Sequence, residues 1–221
     1  VYPIIRKSVL SFLSSFPNET IQTMLFSTSH YYQHYLDLLD INDNSDILNN
    51  KFIAYCSTVN PFVFPAHIWD VFEAMASIES CARNTQFLKL MDSIYLDFLD
   101  DYNSKIFNLK FYSLFKLVSA MTKTFQYVEC ADRLLNLMRS LAKSLIISTI
   151  PYDQIINRAF EKTSDNFKYE IISIITKDKS DLPPIVLDNC LQHCIKHMKT
   201  IPTEVVSTVM EFSLTCFQLR G

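Results

Sequence analysis

The chain has 221 residues, 49 % of them apolar, with 20 basic and 23 acidic side chains and a formal net charge of −3. That content can bury a sizeable core, while the near balance of charge lacks the basic excess usual in a protein built around nucleic acid. The one glycine, Gly221, stands where average usage would place about fifteen, which excludes glycine phosphate loops, the dinucleotide fingerprint and the Gly-x-Ser-x-Gly elbow and argues against hairpin-rich β folds.

In chain order, the apolar period is close to 3.6 almost throughout, so the expected class is all-α. A first helix is predicted over 3–15, with Ile4, Ile5, Val9, Leu10 and Leu13 on one side, ended by Phe16-Pro17-Asn18. A second is predicted over 20–40. The Asn/Asp-rich stretch Asp40–Asn50 reads as a polar loop, followed by a short helix over 47–58. Residues 1–59 form an N-terminal helical segment on this reading, continuous with helical-hairpin repeats over 60–221. Two prolines bracket a connector at Asn60-Pro61-Phe62-Val63-Phe64-Pro65. Further helices are predicted at 65–79, 83–102, 108–125, 128–147, 151–163, 167–177, 184–198 and 202–217. Prolines 65, 151 and 202 stand at helix starts, where a missing N–H is harmless. Helix pairs recurring every 33 to 44 residues or so fit the span of α-solenoid units. The expected architecture is an irregular α-solenoid of stacked antiparallel helix pairs. Its last pair sets Leu187, Cys190, Leu191, Cys194, Ile195 and Met198 against Val205, Val206, Val209, Phe212 and Cys216.

The side chains able to carry chemistry are few. Asp40, Asn42 and Asn44 open like a calcium loop, but Ser45 replaces the turn glycine and Lys51 the bidentate glutamate, so an ordinary loop is expected. His30 and His34, four apart among tyrosines, read as the polar edge of a helix. Trp69, the lone tryptophan, reads as a core anchor. Asp97, Asp100 and Asp101 crowd a helix C-terminus, where negative charge opposes the macrodipole. They are a candidate acidic patch for a basic partner. Residues 1–110 carry a net charge of −5 and residues 111–221 a net of +2. In the second half Arg133, Arg139, Lys143, Arg158 and Lys162 are candidates for an RNA- or partner-binding stripe along polar helix faces. Cys190, His193, Cys194 and His197 are metal-ligand types at i, i+3, i+4 and i+7. One helix face cannot surround a zinc ion tetrahedrally. The thiols lie on the apolar stripe, so core packing is expected and a metal site is the lesser alternative. No cofactor is expected.

From about 108 to 217 the texture resembles organellar RNA-associated helical-repeat proteins of the heptatricopeptide kind. The passages are Tyr112-Ser113-Leu114-Phe115-Lys116-Leu117-Val118-Ser119-Ala120-Met121-Thr122-Lys123 and Ile150-Pro151-Tyr152-Asp153-Gln154-Ile155-Ile156. That resemblance implies RNA binding, or membership of a mitochondrial ribonucleoprotein such as a ribosome. HEAT and armadillo repeats share the helix-pair rhythm. The residues themselves imply a non-enzymatic interaction or scaffold module whose partners are other protein subunits. RNA binding is the first alternative and a metal-dependent or cysteine enzyme the second. Six dispersed cysteines imply a reducing, intracellular compartment, and no apolar run is long enough to span a membrane. Because it begins at Val1, the chain reads as part of a longer protein.

Overall fold

The computed structural model describes residues 45–103, 111–143, 157–160, 162–177, 188, 190–192, 195–196, 199 and 201–220. Among them the fold is all-α, with no strand. The helices are α1 (Ser45–Thr58), α2 (Ala66–Met75), α3 (Glu79–Ala82), α4 (Thr85–Asn103), α5 (Phe111–Thr124), α6 (Ala131–Lys143), α7 (Asp165–Lys177) and α8 (Val206–Arg220), with 3₁₀ turns at Pro61–Val63 and Thr203–Val205. The helices expected over 83–102, 108–125, 167–177 and 202–217 are therefore present with boundaries shifted by a few residues. Those expected over 3–15 and 20–40, and most of 151–163 and 184–198, lie outside the described residues.

Two expectations need correction. The polar stretch read as a loop over 40–50 is helical from Ser45 onward, so the short helix expected over 47–58 is present as α1 and begins two residues earlier. The helix expected over 65–79 ends early, at Met75, and after Ala76–Ile78 a separate short helix, α3, fills most of the gap before the helix expected over 83–102. Neither the cap residue Ala76 nor Ile78 is left-handed. Ala76 stays right-handed at φ −64° and ψ −16°. The Ser77 and Ile78 amides bond to the Ala74 and Met75 carbonyls at 3.0 and 3.1 Å. A chain without internal glycine closes its helix here with a tightened 3₁₀-type turn instead of a left-handed cap.

Side-chain caps start several elements. Asn84 Oδ1 accepts from the Gln86 and Phe87 amides at 2.9 and 3.2 Å, opening α4. Ser164 Oγ accepts from the Phe167 amide at 3.2 Å, opening α7. Ser164 itself donates its amide and hydroxyl to the two carboxylate oxygens of Glu129, at 2.6 and 2.7 Å. The cap is thus held by a residue far away in sequence. Ser164→Ala is expected to cost about 1–2 kcal/mol, the upper part of the usual range for a lost cap. Urea unfolding of the variant beside the wild type measures it, and a change under a few tenths would refute this role. Pro65 and Pro202 cap the elements they precede, with φ near −60°.

The chain divides into two compact units. One comprises Val1–Phe98 and Phe107–Thr124; the other comprises Leu99–Ile106 and Phe125–Gly221. In the first, α2 packs along α5, which is not its sequence neighbour, and α1 packs on α3. An aromatic cluster fills its core. Trp69 lies 5.5 Å from Phe64, 5.7 Å from Phe72 and 5.4 Å from Phe98, centroid to centroid. Phe72 in turn meets Phe52 at 5.0 Å and Phe87 at 5.7 Å. Trp69 is a core anchor, as its sequence setting implies. In the second unit, α7 packs on both α8 and α6. Phe167, Ile171, Ile172 and Ile175 of α7 are buried, and Phe125 stacks on Phe167 at 6.4 Å. Val209, Phe212 and Cys216 of α8 are buried.

Two residues depart from the apolar stripes expected of the last helix pair. Their period places Val206 and Ile195 on buried faces, and both are exposed. Cys190, from the same expected face, is buried. Leu187, Cys194 and Met198 lie outside the described residues.

Candidate functional site

α8 carries two apolar faces, and among the described residues only one is buried. Val209, Phe212 and Cys216 form the buried face. Val206, Met210, Leu214 and Phe217 follow one another at intervals of four, four and three, the spacing that keeps side chains on one face of a helix. At 100° per residue this second stripe lies roughly a third of a turn from the first. Met210 and Leu214 are 63 % exposed and Phe217 is 67 % exposed. A helix apolar on most of its circumference is normally buried on most of it. A contiguous row of large exposed apolar side chains marks an interaction surface more often than a solvated one. Sequence reading missed this row because the one stripe it draws on 202–217, Val205, Val206, Val209, Phe212 and Cys216, passes over Met210, Leu214 and Phe217. The available signal was their number: seven of the twelve positions from Val206 to Phe217 are apolar, more than a single core-facing stripe requires.

The acidic candidates sit where the sequence places them, in the C-terminal part of α4. Asp97 and Asp100 are exposed, and the side chain of Asp101 lies outside the described residues. Asp97 also lines an open groove of about 410 Å³ in the first unit, floored by Ile53, Cys56, Leu90 and Ile94 and edged by Lys89. Burial pushes the Cys56 thiol well above its ordinary range, and the same cause raises Cys216. Both are held protonated, unlike the low-pKa thiol that nucleophilic chemistry needs.

The basic candidates have separate settings. The Arg133 guanidinium lies 5.3 Å from the Phe125 ring centre, so part of its charge is engaged inside the second unit. Positions 139 and 143 are four apart and share a face of α6, whereas position 133 lies roughly 120° round that helix. Arg139 and Arg158 are half-buried and Lys162 is exposed; the side chain of Lys143 lies outside the described residues. Of the four metal-type residues only Cys190 is described, and it is buried; His193, Cys194 and His197 lie outside, as do His30 and His34. Among the described residues no group of three or more His, Cys, Asp or Glu is placed to hold a metal ion. None of the described helices is long and apolar enough to cross a membrane.

A further cluster was not singled out from sequence. Glu73 of α2 accepts from Ser119 Oγ at 2.6 Å and pairs with Lys116 at 2.9 Å and Lys123 at 3.2 Å, all three from α5. Lys116 also pairs with Asp70 at 3.0 Å. The signal was the match of spacings: Asp70 and Glu73 three apart in an otherwise apolar run, facing Lys116, Ser119 and Lys123 on one side of another. Burial alone would raise the Glu73 carboxyl, but the Ser119 hydroxyl and the two ammonium groups outweigh it and hold the pKa at about 2. The bond to Glu73 chiefly raises Lys116, against its own burial. Two carboxylates thus meet two ammonium groups, and the cluster clips α2 to α5.

A pH dependence follows. A carboxyl depressed from 4.5 to about 2 stabilises the fold fully above its unfolded value. That contribution is lost as pH falls from about 4.5 toward 2. Glu73→Gln is expected to lose about 1–3 kcal/mol at neutral pH, as a partly buried charge-assisted network is broken. Its acid-side loss of stability should also be shallower than that of the wild type. Urea midpoints taken from pH 7 down to 2 measure both. Parallel pH profiles for the two proteins would contradict the assignment.

No family model matches the chain, and no curated protein or solved structure is similar enough to match it.

Proposed function

We propose that this chain is a non-enzymatic interaction module, a subunit or subunit part of a larger assembly, and that it docks another protein through the outward face of α8. The observation that carries the reading is the row Val206, Met210, Leu214 and Phe217, left in solvent while a neighbouring face of the same helix, roughly a third of a turn away, is packed. Covering these side chains with a partner's apolar surface gains roughly 25 cal/mol for each Å² removed from water, which is lost while they stay wet. The low share of charged residues, 19 % against roughly 25 % in typical soluble domains, supports the same reading. The exposed Asp97 and Asp100 offer a second contact, suited to a basic surface. The irregular solenoid expected from the helix rhythm belongs to this proposal, as does an organellar ribonucleoprotein as its alternative setting.

The experiment is affinity purification from native extract with the wild type and with Met210→Glu combined with Leu214→Glu, identifying both protein and RNA. Both positions face solvent, so the double variant should keep its helical circular dichroism and unfold within about 1 kcal/mol of the wild type, as exposed substitutions do. It should lose the proteins that the wild type retains. An identical set of proteins on both baits would defeat the reading. RNA retained equally by both baits at low salt, with no specific protein, would replace it with direct RNA binding.

A further inference from the structure

We draw no further inference here: the strongest candidate, the outward apolar stripe of α8, already carries the proposed function, and nothing in the structure shows which surface covers it.

Discussion

Trp69→Ala is expected to lower the unfolding free energy by about 3–5 kcal/mol, the range for truncating a fully buried large aromatic residue. Trp69 is 1 % exposed and touches rings from three separate stretches of chain: Phe64 of the connector, Phe72 of its own helix and Phe98 of α4. Removing the indole takes away its transfer free energy and leaves a cavity that these rings cannot all close, because each is fixed by other contacts. Phe72, for instance, is also held by Phe52 and Phe87. Against a typical total of about 5–15 kcal/mol, the loss is a large fraction of the stability of an average domain. Since Trp69 is the only tryptophan, its fluorescence cannot report on the variant, and far-UV circular dichroism in urea is the measurement. Trp69→Phe, which keeps a ring in the cluster, should lose markedly less. A loss under 1 kcal/mol for Trp69→Ala would show that the cluster is not the core of this unit.

Much of the helical layout was legible in the sequence, for physical reasons that can be named. Pro65 and Pro202 fix φ and lack a donor, so they could stand only at starts, and they do. Leu114, Leu117, Val118 and Met121 of α5 repeat with the helical period and are buried. The failures have equally specific causes. The break at Ala76–Ile78 was invisible because no glycine or proline marks it, and the apolar rhythm runs on through it. The start of α1 was hidden by Asn and Asp residues that favour turns. One of them, Asn49, sits fully buried on the face it shares with Phe52, Ile53 and Cys56, its carboxamide without a hydrogen-bond partner among the described residues. The Glu73 clip escaped because its members lie on two helices whose packing the sequence does not announce.

The candidate site was less legible than the fold. Acidic and basic residues were selected by type and spacing, which say nothing of what each side chain touches; the contact of Arg133 with Phe125 is such a case. The outward stripe of α8 is present in the sequence beside the inward one, but the expected stripe takes only Val206 from it and passes over Met210, Leu214 and Phe217. Both are apolar, and only packing on α7 decides which is which. Val206 shows the ambiguity directly, since its period suited either face and it is the outer one that holds it.

The most direct test of this division of α8 is a pair of alanine substitutions, five positions apart, of the same residue type. Phe212 is 0 % exposed and Phe217 is 67 % exposed. Phe212→Ala is expected to destabilise the isolated chain by about 3–5 kcal/mol, because it hollows the packing of the second unit. Phe217→Ala should change stability by no more than about 0.5 kcal/mol, as a solvent-facing substitution. Urea denaturation followed by far-UV circular dichroism gives both values under one condition. Losses of similar size at the two positions, or a larger one at Phe217, would mean that the chain itself uses both faces of α8, and that no face is left over for a partner.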